Sequence, residues 1–167
     1  AVCEILDARI PISSRNYDIF ELSKLKPRLI VLNRVDLADP EKTKEWASYY
    51  RQQGYSVLET NSKLGGGVSQ FPQAIRNLLS DRIEQWKEKG LIGRNIRVMI
   101  CGVPNVGKSS FINKVAGRTV AKAEDRPGVT RGKQWVSIDK EVELLDMPGI
   151  LWPKFDDKQV AVRLAFT

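Results

Sequence analysis

The sequence predicts an α/β domain built on a doubly wound, mainly parallel sheet. Strand-like apolar runs alternate with helical patterns along the chain. The run ending at Leu32 is apolar without a break, as in strands covered on both faces, and the polar motifs fall where strands end, which is where such folds bind ligands.

Val2 to Leu6 reads as a buried strand and Asn16 to Lys24 as a short helix. Arg28 to Leu32 is the second strand. Asp39 before Pro40 is an N-cap and first-turn signal, Trp46, Tyr49 and Tyr50 recur at helical spacing, and Gly54 is a stop, so a helix is predicted from Pro40 to Gln53. Ser56 to Thr60 is a third strand, followed by a loop of three glycines. Phe71, Ala74, Ile75, Leu78, Leu79, Ile83 and Trp86 then repeat every three or four residues, predicting one long amphipathic helix that ends near Gly90. The link LIGRN leads into a fourth strand, Ile96 to Cys101, and a helix reaching Val115. Lys133 to Ile138 and Val142 to Leu145 read as a hairpin across Asp139 and Lys140.

A chain of 167 residues is the size of one domain and can bury a single substantial core. Its 42% hydrophobic content argues against disorder, and no window approaches the roughly 18 apolar residues of a membrane span. The net charge of +7 fits either an anionic partner or a well-solvated basic surface. Cys3 and Cys101 sit in apolar, strand-like runs. Buried, reduced thiols follow, which suits a cytoplasm-like compartment, bacterial or in an organelle matrix, and excludes a disulfide framework or zinc site. With no histidine, imidazole chemistry is unavailable. The opening on a strand and the ending on an unfinished helix point to a domain excerpt, with a flanking N-terminal segment and a C-terminal domain outside it.

Gly102 to Ser109, GVPNVGKS, match the phosphate-loop pattern between a strand and a helix. In such a loop the backbone of Pro104, Asn105, Val106, Gly107 and Ser110 closes around phosphate, Lys108 places a charge on the β and γ phosphates, and Ser109 holds Mg²⁺. Asn33-Arg34-Val35-Asp36 ends the second strand. The Asp36 carboxylate can accept from both guanine N1-H and its exocyclic amine, which favours guanine over adenine by about 10² to 10⁴. Asn33 can brace the loop, and the Arg34 stem can cover the base. Four such residues also describe an ordinary Asx turn.

Company decides between the two. Thr60-Asn61-Ser62-Lys63 can lend the Ser62 N-H to guanine O6 and the Lys63 stem to the ring. Asp146-Met147-Pro148-Gly149 can hold Mg²⁺ through water at Asp146 and sense the γ phosphate at the Gly149 N-H, and Thr130 in Pro127-Gly128-Val129-Thr130 is a further Mg²⁺ ligand.

With these motifs in this order, the chain resembles the circularly permuted GTPases of the YlqF/RbgA type, which assist assembly of the large ribosomal subunit. The residues that carry the resemblance are Asp7-Ala8-Arg9-Ile10-Pro11, Asn33 to Asp36, Gly102 to Ser109, Pro127 to Thr130 and Asp146 to Pro153. Arg34 for the usual Lys and Met147 for the more common Thr are its departures. The resemblance implies a circularly permuted P-loop GTPase domain over residues 1–167, with GTP and GDP as substrate and product, Mg²⁺ as cofactor, Lys108, Thr130 and Gly149 as the catalytic set, and ribosomal RNA as partner. Permutation explains why the base motif precedes the phosphate loop: LIGRN joins what are chain ends in the unpermuted fold. It also ties any domain after DMPG to the γ-phosphate sensor, so nucleotide state is expected to reposition that domain.

Ile150 stands where many GTPases carry a water-positioning Gln, which predicts slow intrinsic hydrolysis. Asn105 matches a residue that binds K⁺ in related GTPases, and loop geometry alone also accounts for it. Arg82, Lys87, Arg94 and Arg97 fit either RNA phosphates or solvated surface. A nucleotide-gated RNA-binding scaffold with little turnover and a P-loop kinase remain the rival readings. The kinase would not need Asn33 or Asp36.

Overall fold

The computed structural model describes residues 1–91, 93–119 and 134–146. Six strands and five helices follow in chain order: β1 Val2–Asp7, α1 Tyr17–Leu22, β2 Arg28–Asn33, α2 Pro40–Gln52, β3 Ser56–Thr60, α3 Phe71–Leu78, α4 Ser80–Glu88, β4 Ile96–Cys101, α5 Lys108–Ala116, β5 Gln134–Ser137 and β6 Val142–Asp146. The sheet order is β3-β2-β1-β4-β6-β5. Every neighbouring pair is parallel except β5 and β6, the expected hairpin.

This order places a switch point between β1 and β4. From β1 the chain winds outward to β2 and β3, returns to β4 beside β1, and continues on the other side to β6. Loops leaving the C-terminal ends of β1 and β4 therefore diverge and open a crevice between them. The phosphate loop, which follows β4, enters that crevice.

Alternate side chains of the strands go to opposite faces. On one face Cys3, Ile5, Leu29 and Val31 join Phe71, Ile75, Phe111 and Ile112, all buried, so α3 and α5 cover that side. The Phe71 and Phe111 rings meet edge to face at 5.2 Å and join the two helices. On the other face Leu6, Ile30 and Leu32 pack against Ala47 and Tyr50 of α2. Asp39 caps α2 by accepting from the Glu41 and Lys42 amides, with Pro40 at the first position, as its sequence predicts. Cys3 and Cys101 are buried free thiols.

Two differences from the sequence expectation concern helices. The single helix expected from Phe71 to Gly90 is interrupted at Leu79, whose ψ of +12° leaves helical geometry. Its amide reaches back to both Ile75 and Arg76 carbonyls, and its side chain stays in the core, so the apolar spacing runs on through a one-residue break. Up to the break α3 packs on the sheet; beyond it no residue of α4 is fully buried. The first helix is shorter than expected, starting after Asn16, whose Oδ1 accepts from the Ile19 amide.

Candidate functional site

β4 delivers the chain at Cys101 into a loop whose glycines are set by close approach. Gly102 has φ +150°, and a Cβ there would stand 2.6 Å from the Ile5 carbonyl oxygen of β1. Gly107 has φ +97°, and a Cβ there would collide with Asn33 Nδ2. α5 begins at Lys108 with no side-chain cap, and its first helical bond runs from the Phe111 amide to Gly107. The amides of Lys108, Ser109 and Ser110 precede that bond and stand at the positive end of a nine-residue helix. Unbonded amides at the start of a helix are the arrangement that suits an anion.

Lys108 is buried, with Nζ donating to the Val103 carbonyl at 3.2 Å. Burial lowers its ammonium from the ordinary lysine value, and the neighbouring Asp146 charge partly opposes this. Asp146, at the end of β6, is buried with an Oδ1 that no hydrogen bond satisfies. Burial pushes its carboxyl up, with Lys108 pulling it back. An unsatisfied buried carboxylate oxygen beside the phosphate loop suits a hydrated Mg²⁺, and the Ser109 hydroxyl at the start of α5 completes an oxygen donor set of the kind that ion takes.

The base motif is locked onto this loop. Asn33 Nδ2 donates to the Val106 carbonyl at 2.8 Å, while Oδ1 accepts from Thr60 Oγ1 at 3.1 Å, Ser62 N at 3.1 Å and Ser62 Oγ at 2.7 Å. One buried side chain thus holds three loops in register. The sequence reading directed the Ser62 N-H to guanine O6; here it points to Asn33, because the Asn33 oxygen lies at the end of the adjacent strand. Asn61 accepts from Leu64 N at 3.0 Å and shapes its loop, and Lys63 is exposed.

Arg34 takes a left-handed conformation, φ 64°, and reaches across the crevice. Its Nη2 donates to the Asn105 carbonyl at 2.6 Å and its Nη1 to Asp7 Oδ2 at 3.2 Å. Asp7 also accepts from Arg9 through Nε at 2.9 Å and Nη2 at 2.7 Å. Burial raises the Asp7 carboxyl, but the Arg9 hydrogen bonds and the Arg9 and Arg34 charges outweigh it and hold it below the usual range. Asp36 is exposed on the turn Val35–Leu37, and Asn105, also exposed, has φ 64°. Pro104 and Val106 are buried in the loop, and Ser109 and Ser110 are half-buried.

The hub role of Asp7 and the part of Thr60 in holding Asn33 escaped the sequence reading. Asp7 pairs in register with Asn33 across β1 and β2, and Asn33 with Thr60 across β2 and β3, so strand ends that align in space are far apart in sequence. Thr130, Gly149 and Ile150 lie outside the described residues, as do the rest of the Pro127 to Thr130 motif and Met147 to Pro153.

A family model described as "50S ribosome-binding GTPase" matches residues 97–167. A Bacillus cereus protein named "Ribosome biogenesis GTPase A" is 48% identical over 99% of this chain and 56% of its own length. Among solved structures, GDP-bound YlqF is 34% identical with a TM-score of 0.66, covering 98% of this chain and 59% of that one. GNP-bound YlqF from Thermotoga maritima is 32% identical with the same TM-score of 0.66, covering 98% and 57%. The chain thus spans less than three fifths of the length of each of these three relatives. With the base motif ahead of the phosphate loop, the switch-point crevice and these relatives, the chain belongs to the YlqF/RbgA family of circularly permuted P-loop GTPases.

Proposed function

We propose that this domain binds GTP and hydrolyses it to GDP and phosphate, and that the whole protein uses this as a switch in assembly of the large ribosomal subunit. The observation that carries the reading is the Asn33 lock, which holds the base-recognising turn at a set distance from the phosphate loop. A kinase has no use for such a ruler. The printed names of the Bacillus cereus relative and of the matching family model supply the ribosomal part.

In this reading Asp36 selects guanine, Lys108 and the α5 amides hold the phosphates, and Arg34 keeps the Asn105 turn in place. Ser109, Thr130 and Asp146 would hold Mg²⁺, which neutralises phosphate charge as the γ-phosphoryl departs. Asn105 is the residue that would take K⁺, and exchanging K⁺ for Na⁺ should then slow turnover. Gly149 senses the γ phosphate and passes that state to a following domain. With Ile150 unable to orient water, hydrolysis is slow until the ribosomal particle completes the site. The cytoplasm, where ribosomes assemble, is the proposed compartment.

The test is multiple-turnover phosphate release by the full-length protein in K⁺ buffer, with and without large ribosomal subunits, and with ATP as control. Stimulation restricted to GTP and large subunits supports the switch. Tight GTP binding without stimulation overturns it in favour of a scaffold.

A further inference from the structure

Asp7-Ala8-Arg9-Ile10-Pro11 is the one stretch of the family resemblance to which no base, phosphate or metal falls. It leaves the end of β1 as a closed turn. The Ala8 amide donates to the Asn33 carbonyl at 2.8 Å, the Ile10 amide to the Asp7 carbonyl at 3.0 Å, and the Asp7 amide to Ser14 Oγ at 3.0 Å. The Asp7 carboxylate is buried in this turn. Its Oδ1 accepts from the Arg9 amide at 3.0 Å and from Arg9 Nε at 2.9 Å, and its Oδ2 is shared between Arg9 and Arg34.

Asp7 therefore gives Arg34 a fixed footing, and the other arm of Arg34 grips the Asn105 carbonyl at 2.6 Å. Among the described residues, Arg34 and Asn105 are also the only ones other than glycine with a positive φ, both at 64°. Asparagine tolerates that conformation; arginine adopts it at a cost, and such strain persists where contacts on both sides enforce it. The two strained residues are the two ends of one hydrogen bond. Beside it Asn33 holds the Val106 carbonyl, so consecutive residues at the end of β2 grip consecutive carbonyls of the phosphate loop. A trans peptide unit points its C=O and N-H in opposite directions. Gripping the Asn105 carbonyl thus turns the Val106 amide to the other side of the loop. Arginine suits this task because its planar fork offers separate N-H groups to two acceptors in fixed directions, whereas a lysine ammonium is a point charge on a flexible stem.

We propose that Asp7 is a positioning residue for the nucleotide: through Arg34 it fixes the peptide between Asn105 and Val106 so that the Val106 amide donates to phosphate. This rests on the reading that the loop holds GTP or GDP. Arg9 has the supporting task of orienting the carboxylate, since its Nε and Nη2 bond one oxygen each and fix the carboxylate plane. Both oxygens act only as acceptors, Oδ1 toward Arg9 and Oδ2 toward both arginines. An asparagine here would set an N-H donor against a guanidinium donor at one of them.

The experiment measures release of ribose-labelled fluorescent GDP from the full-length protein by stopped flow, with unlabelled GDP as the chase. Asp7→Asn and Arg34→Met should each speed release by about tenfold, the loss of one hydrogen bond to a charged group. Arg34→Met keeps an apolar stem at a side chain that is about a third exposed, so it tests the same arm should Asp7→Asn fold poorly. The double variant should release GDP no faster than Arg34→Met alone, because Asp7 reaches the nucleotide only through Arg34; a general loosening of the fold would not produce that non-additivity. Arg76→Gln breaks similarly exposed ion pairs to Asp139 and Glu141, at the opposite end of β6 from Asp146, and should leave release unchanged. Single variants that release GDP at the wild-type rate, a double variant in which the two effects multiply, or equal acceleration by Arg76→Gln would each overturn the proposal. A wild type that holds labelled GDP no more tightly than labelled ADP would overturn the GTP reading, and the proposal with it.

Discussion

Gly107→Ala tests the lock between the base motif and the phosphate loop. At φ +97° an L side chain is strained, by about 1 to 2 kcal/mol. The new Cβ also collides with Asn33 Nδ2, which donates to Val106 at 2.8 Å. Displacing that amide orphans a buried polar pair, at about 1 to 3 kcal/mol, so the substitution should cost about 2 to 5 kcal/mol in total. Only the collision depends on Asn33. In an Asn33→Ala background the same change should cost the strain alone, leaving a coupling of about 1 to 3 kcal/mol between the two sites. Urea unfolding of the four proteins without nucleotide, followed by tryptophan fluorescence, measures the cycle. Additivity to within about 0.5 kcal/mol would refute the lock and leave Gly107 a purely local backbone requirement.

Three further outcomes are expected. Asp36→Asn should reduce the preference for GTP over ATP by about 10² to 10⁴ in competition binding while leaving stability unchanged, because Asp36 is exposed and the change spares the Asn33 bonds. Lys108→Met should weaken GTP binding by about 10- to 150-fold in titration, the loss of one charged hydrogen bond, without destabilising the nucleotide-free protein, since burial already disfavours the ammonium. Asp7 is held ionised below its ordinary range, so its stabilisation is present above the unfolded carboxyl value and is lost as pH falls through the folded one; Asp7→Asn should flatten the acid limb of a stability profile, and an unchanged limb would show that Arg9 and Arg34 do not depend on it.

Local periodicity and backbone chemistry determined a large part of this protein from the sequence alone. Apolar runs located β1, β2, β3 and β4 to within a residue, Asp39-Pro40 located the start of α2, and GVPNVGKS defined the loop and the helix after it, because each depends on neighbours along the chain. The reversed motif order, visible in the residue string itself, already matched the permuted family that the chain resembles. What depended on strand register was not legible there. Asp7, Asn33 and Thr60 end three adjacent strands, and only their pairing makes Asn33 a clamp for Val106 and Ser62 and makes Asp7 the hub for Arg9 and Arg34. The break at Leu79 was hidden for a related reason: a single residue out of helical geometry leaves the apolar spacing intact, so periodicity does not register it.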